Sequence, residues 1–362
     1  MTIRKIAALM LATLLMVALV ACGGSTQAPA TEDTDVSTTT AETETTTVAE
    51  DTTTQAEETT TAAPTEGNTT DKPVLKQTSK KTTTTTSGKQ VMTFTTETTT
   101  TTTAKDKTKG KSIKILAIGN SFSVDAMNNH LYDIFADAGY TDITLGNLYI
   151  GGCSLDMHYD NLKSNKAAYE FYLNTDGYWE KTAATAPNTA FGKARWDVVT
   201  IQQVSSSSGL PQNYSNLQAT LNLIKQKAPQ AKIYWHMTWA YQQDSKHEAF
   251  PYYNKDQMTM YKAITDTVQQ VVVPSTGLTG VIPAGTAIQN LRTSELGDTL
   301  TSDGHHLEDT YGDYTAALTW FCTITGQAPS GTDYRPVRSY WDVISQSVSN
   351  AVKKPYQVTA CK

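Results

Sequence analysis

Two short stretches of the chain carry side chains able to do nucleophilic chemistry. One is Gly119-Asn120-Ser121-Phe122-Ser123; the other, far downstream, is Thr301-Ser302-Asp303-Gly304-His305-His306-Leu307. A serine hydroxyl is a poor nucleophile until a base takes its proton. An imidazole can do so, and a carboxylate three positions earlier can orient the ring and stabilise its charged form. Gly304 supplies the backbone freedom that such a tight turn needs. Gly119 lets the chain turn sharply ahead of Ser121, where the first amides of a following helix are polarised toward the serine. The pattern offers a candidate nucleophile in Ser121 and a candidate base and orienting carboxylate in the Asp303–His306 turn, the logic of a catalytic triad.

Each of these residues also has a plainer reading. Ser121 could cap a helix. His305 could be the base, although the three-residue spacing from Asp303 favours His306. Asp303, His305, His306, Glu308 and Asp309 are all metal-ligand types, but adjacent histidines point in different directions in most backbones. His158, His236 and His247 lack comparable partners and read as structural or surface residues. Trp235, Trp239 and Tyr241 read as core, with an aromatic shelf for a sugar ring as the alternative. Gly151-Gly152 could be a simple turn.

These residues must be held by a scaffold, and the chain after Lys111 alternates strand and helix patterns. Ile113–Gly119 is an apolar run closed by glycine, as in a buried strand. Asp125–Ala138 has helical spacing, stopped by Gly139. Ile143–Ile150, Asp197–Ile201, Lys232–Met237 and Gly280–Pro283 read as further strands. Helices are expected over Met157–Leu173, Leu217–Lys227, Met258–Val273, Tyr311–Phe321 and Trp341–Val352. That alternation predicts an α/β fold, three-layered, with a central parallel sheet of about five strands covered by helices on both faces. Ligands bind at the carboxyl ends of such strands, so the loops after Ile118, Ile150 and Ile201 are the places for chemistry.

With those loops in place, the pattern resembles a known family. Gly119-Asn120-Ser121-Phe122, Gly152 after the second strand, and Asp303-x-x-His306 near the end are similar to the blocks of SGNH (GDSL-like) hydrolases. The chain looks most like a secreted bacterial branch with a G-N-S-F first block, known mainly as a domain of unknown function. The resemblance covers about residues 113–326, reaching toward Val358. It implies a flavodoxin-like SGNH fold, the Ser121–His306–Asp303 triad, and no metal or organic cofactor. It also implies an oxyanion hole built from the backbone amides of Ser121 and Gly152. The family's third block is G-x-N-D, whose asparagine is a further oxyanion donor; here Ile201 is followed by Gln202-Gln203, with no asparagine. A glutamine carries the same donor one methylene further out, and Gln202 is favoured over Gln203. The first block also has Asn120 where the family commonly has aspartate.

The rest of the chain sets its compartment and reach. Arg4 and Lys5 precede the apolar run Ile6–Val20, which ends in Leu19-Val20-Ala21-Cys22-Gly23. The run is too short to cross a bilayer comfortably, and its end resembles a bacterial lipobox. Residues 1–22 therefore read as a lipoprotein signal peptide, with Cys22 as the lipidated residue; two acyl chains give stable anchoring. Between Thr31 and Ala104, 33 of 74 residues are threonine. Such a segment has too little apolar surface to offset the entropy of ordering, so residues 23–111 read as a disordered stalk and residues 112–358 as the catalytic domain. The domain after Lys111 holds 22 acidic and 18 basic side chains, and without a basic stripe it is no nucleic-acid binder. Cys153, Cys322 and Cys361 allow at most one internal disulfide, a Cys322–Cys361 bridge being conceivable.

Together these readings predict an extracellular, membrane-anchored lipoprotein of a bacterium, of Gram-positive type. Its expected activity is that of a serine esterase removing acetyl or other small acyl groups from carbohydrate. Two alternatives stay open: a non-catalytic carbohydrate-binding lipoprotein on the same fold, and a lipid esterase or thioesterase.

Overall fold

The structure is a computed structural model; it describes residues 110–362, together with the backbone of three strands at Gln55–Glu58, Lys76–Thr86 and Lys89–Thr99. Those three pair antiparallel within a unit separate from the domain. They fall inside the segment expected to be an unstructured stalk; Lys76–Thr86 and Lys89–Thr99 are rich in β-branched threonine, which suits a pleated strand, whereas Gln55–Glu58 has none. The residues read as a signal peptide and lipobox, Cys22 among them, lie outside the described residues.

In the domain, β1 (Lys111–Gly119) is followed by α1 (Ser121–Met127), α2 (Leu131–Asp137) and β2 (Tyr140–Tyr149). Next come α3 (Leu155–Ser164), the hairpin β3 (Tyr169–Asn174) and β4 (Trp179–Thr185), α4 (Pro187–Phe191) and β5 (Val198–Ile201). The chain continues through α5 (Leu217–Lys227), β6 (Lys232–His236), α6 (Gln257–Thr267) and β7 (Gly280–Ile282). It closes with α7 (Ala284–Leu291), α8 (Gly312–Thr325) and α9 (Trp341–Lys353). The sheet order is β7-β6-β5-β1-β2-β3-β4. The first five strands in that order are parallel, and β3 and β4 add antiparallel at the edge.

The expected five parallel strands are thus present, but the sheet has seven. The helix expected over Met157–Leu173 stops at Asn165, which takes a left-handed backbone (φ 52). Beyond it Tyr169 and Phe171 alternate inward, a period of two that builds a strand. The helix expected over Asp125–Ala138 is likewise two helices, broken at Asn128–His130. Right-handed crossovers put α1 and α2 on one face and α5 and α6 on the other, because β1→β2 and β5→β6→β7 step in opposite directions. Helix α8 returns to pack on α1 and α2, and α7 and α9 pack on α8 and on each other.

Register decides which loops meet. Gly119 pairs with Tyr149, Ile118 with Ile201, and Ile201 with Trp235, so β1, β2, β5 and β6 end at one level. β1 is central and covered on both faces, which is why Ile115–Ile118 is an unbroken buried run rather than an alternating one. Among the described residues no helix is long and apolar enough to cross a membrane.

Candidate active site

The strand-end loops are joined by one buried polar chain. Asn120 caps α1, its Oδ1 accepting the Phe122 amide at 3.1 Å. The same oxygen accepts Gln202 Nε2 at 2.7 Å, while Asn120 Nδ2 donates to the Cys153 carbonyl at 3.1 Å. Gln202 Oε1 accepts from His236 Nδ1 at 2.8 Å. Because the backbone amide of Phe122 can only donate, Asn120 must present oxygen there and Gln202 must present nitrogen. Ends of β6, β5, β1 and the loop after β2 are thereby tied in sequence. An aspartate at position 120 could not donate to Cys153, which gives a physical reason for asparagine in this chain.

This network changes how two sequence expectations are read. Asn120, not Ser121, is the helix cap, so the Ser121 hydroxyl is not spent on capping; the side chain sits half-buried at the first helical position. A Cβ at Gly119 would fall 2.5 Å from Ser123 Oγ, so only glycine fits directly ahead of the turn. Gln202 and Gln203 are both buried, and both carboxamides are engaged inside the protein. Gln203 Oε1 accepts the Leu155 and Val204 amides, each at 2.9 Å, and its Nε2 donates to Asn213 O at 2.9 Å. Each glutamine nitrogen has therefore used one of its two hydrogens on a neighbouring loop. Gly152 lies exposed after β2 with a left-handed backbone (φ 62), which glycine adopts without penalty.

Asp303 organises the second block. Its Oδ1 accepts the amides of His305 (3.0 Å) and His306 (2.8 Å), and its Oδ2 lies 2.7 Å from His306 Nδ1. Gly304 has φ 91, and the turn is closed by Ser302 N donating to His306 O at 2.9 Å. Partial burial on its own would raise the Asp303 pKa. Hydrogen bonds from the His306 ring and from the two amides outweigh it and hold the carboxyl at about 2.

The two histidines differ in surroundings. His305 Nδ1 is also 3.0 Å from Asp303, and the two rings lie side by side, 4.0 Å apart. The reason is the shared carboxylate. His305 is hemmed in by Tyr241 and His247, and desolvation, then the neighbouring His306, push its pKa down to about 4. His306 is the more open ring and packs edge-on against Phe122, the residue after Ser121, at 5.8 Å. Ligand atoms of Asp303, His305 and His306 come within 4.8 Å of one another, a spacing that the hydrogen bonds of the turn themselves produce.

Trp239 is a site residue whose role the sequence did not disclose. Its ring stacks flat on Phe122 (4.3 Å, 4°) and its Nε1 donates to His305 O at 2.8 Å. It therefore braces the Ser121 block and the Asp303–His306 turn together. Trp235, Trp239 and Tyr241 are 2%, 0% and 0% exposed, so the alternative of a sugar shelf does not hold for them. His236 and His158 are buried and neutral, burial pushing each down to about 3. Cys153, Cys322 and Cys361 are all buried free thiols, so the conceivable Cys322–Cys361 bridge is not formed.

Fold and site define an α/β protein whose mostly parallel seven-stranded sheet carries a serine block, a glycine turn and an Asp-x-x-His turn in its loops. Residues 114–354 match the family described as domain of unknown function DUF4886, and the chain belongs to that family. A DUF4886 family protein from Bacteroides uniformis is similar at 36% identity, with a TM-score of 0.66 over 69% of this chain and 98% of that one. A Slackia heliotrinireducens protein with a provisional SGNH hydrolase assignment aligns at 18% identity (TM-score 0.41, 58% and 97% covered). A Parabacteroides merdae protein, provisionally a GDSL-like lipase, aligns at 11% (TM-score 0.38, 60% and 98% covered). Among curated proteins none matches the chain.

Proposed function

We propose that this protein is a serine ester hydrolase of SGNH type acting through an acyl-enzyme. The observation that carries the reading is the Asp303–His306 pair at 2.7 Å, set against the ring that follows Ser121, whose hydroxyl the Asn120 cap leaves uncommitted. The Ser121 proton passes to His306 Nε2 as Oγ bonds to the ester carbonyl carbon. Backbone amides of Ser121 and Gly152 hold the resulting oxyanion, and loss of one such donor costs about 10²–10³ in rate. Collapse breaks the ester C–O bond, and His306 returns the proton to the leaving alcohol. Water, deprotonated by His306, then releases the acid and restores Ser121. Asp303 stabilises the imidazolium at each stage. In this scheme Gln202 serves the oxyanion site by fixing Asn120, with one amide hydrogen left to reach inward.

The substrate we favour is a small acyl group, acetyl above all, on a carbohydrate. A cavity of about 380 Å³ adjoins the base turn, lined by residues such as Lys246, His247, Glu248 and Lys255. His247 lies 4.8 Å from His305, ring to ring, so the cavity reaches the site's edge. Its mixed charges suit a polyhydroxylated leaving group better than a long acyl chain. Anchoring through a lipidated Cys22 would hold the enzyme outside the cell; labelling with a clickable fatty acid, lost in Cys22→Ala, tests that part.

A fluorophosphonate probe and p-nitrophenyl acetate test the chemistry. Labelling at Ser121 with turnover is the expected result; a folded protein that does neither is the non-catalytic carbohydrate binder instead. That rival draws on one observation, the internal engagement of both glutamines. Hydrolysis that peaks beyond about C8 acyl chains would replace the acetyl-sugar reading with a lipid esterase or thioesterase.

A further inference from the structure

Helix α1 carries a second acid that the triad does not use. Asp125 stands four residues after Ser121, so the two share one face of the helix. Its Oδ2 accepts the Leu307 amide at 3.0 Å, across 182 residues of sequence. Leu307 directly follows His306. This bond ties the helix that begins at the nucleophile to the turn that carries the base.

The surroundings of Asp125 bear on its charge. His306 and Asp303 face it from the turn, and Asp313 faces it from the first turn of α8. Asp313 is 3% exposed, with Oδ2 accepting Asn129 Nδ2 at 2.7 Å and Oδ1 buried without a partner. Burial, then the Asp125 charge, push the Asp313 carboxyl well up. Burial also raises Asp125, to about 6, against the opposing pull of the Leu307 amide and of His306. Of the two, Asp125 has the surroundings that favour the charge: it accepts the Leu307 amide and faces His306, whereas Asp313 keeps a buried oxygen unpaired.

We propose that Asp125 is a positioning residue: it clamps the His306 turn onto the Ser121 helix and presents its negative charge to the imidazole. The inference rests on the serine hydrolase reading, and the two can fail separately. Purified full chain, wild type, Asp125→Ala and Asp125→Asn, is assayed with p-nitrophenyl acetate across pH and with the fluorophosphonate probe. Loss of the clamp in Asp125→Ala should lower kcat by about 10–10²-fold with little change in KM, as misplacement of a catalytic group does. Asp125→Asn keeps an oxygen acceptor for the Leu307 amide and should recover most of kcat. Removing a negative charge beside the base favours its neutral form, so the acid limb of the kcat/KM profile should move to lower pH in Asp125→Asn.

Labelled, active wild type with both variants unaffected overturns this inference alone. An acid limb that does not move in Asp125→Asn, whatever happens to the melting temperature, reduces Asp125 to a structural role and also overturns it. The asparagine variant decides the matter if Asp125→Ala does not fold. Wild type that neither labels nor turns over overturns the hydrolase reading, and this inference falls with it.

Discussion

The Asp303–His306 turn and the strand-end network hold their residues by different means. Asp303, His305 and His306 come from four consecutive positions and are arranged largely by the aspartate's own hydrogen bonds to the two amides after it. Asn120, Gln202 and His236 sit at the carboxyl ends of β1, β5 and β6, 82 and 34 residues apart, and are fully enclosed. The turn is partly open, with the Asp303 side chain 45% exposed, so water can stand in for a lost partner. In the network it cannot, and each unpaired group carries its full desolvation cost. The open turn is therefore free to serve chemistry, while the buried network serves stability and alignment.

That contrast can be broken at its strongest point first. Ser121→Ala and His306→Ala should each cut turnover by roughly 10⁴-fold or more and leave the thermal midpoint nearly unchanged. His305→Ala should stay largely active; steady-state kinetics showing the reverse ranking would move the base to His305. Asp303→Asn should lower kcat by about 10²–10⁴-fold, since a neutral carboxamide no longer stabilises the imidazolium.

On the buried side the order of effects should invert. Gln202→Ala strips a partner from Asn120 and from His236, and should cost about 1–3 kcal/mol for each group left unpaired, read by urea denaturation. Its turnover should fall by more than that of Gln203→Ala, because Gln202 touches the cap of the nucleophile helix whereas Gln203 holds loops further off. Asn120→Asp should lose stability on a similar scale, because a carboxylate cannot donate to Cys153 O.

Asp313 gives a smaller effect with a definite sign. Its folded pKa of about 9 exceeds the ordinary value of 3.8, so between those limits the folded state binds the extra proton. Stability must then fall as pH rises through this window. Asp313→Asn removes the titration and keeps an acceptor for Asn129. The variant should melt higher than wild type at pH 8, with the gap closing toward pH 4; a gap that stays constant with pH would show that Asp313 does not titrate there.

Much of the fold was legible because buried parallel strands announce themselves as apolar runs: β1, β5 and β6 fall where the sequence placed them. The hairpin β3–β4 did not, since a short aromatic run after a helix carries no signal that separates helix from strand until Asn165 is seen to reverse the backbone. Helix α7 was missed for a different reason: it is only eight residues long, starts directly after Pro283, and its polar stripe of Thr286, Gln289 and Asn290 is itself buried. In the site, Ser121 and the Asp303–His306 spacing stood out because their chemistry is local. The roles of Trp239 and Asp125 did not, as a tryptophan between loops and an acid on a helix are commonplace until their partners at His305 and Leu307 are known.

The sequence by itself determined the alternation of strands and helices, the position of the serine block and the contiguous turn that orients His306, because each depends on neighbours within a few residues. Only the tertiary structure decided that Asn120 takes the capping role from Ser121, that the two glutamines face inward, and that Asp125 meets Leu307. The cap itself reaches only to the Phe122 amide, but Gln202 fixes its orientation from 82 residues away, and the Gln203–Leu155 and Asp125–Leu307 bonds span 48 and 182 residues; no local pattern encodes these long contacts, which exist because the parallel register brings the strand ends to one level and α8 packs on α1.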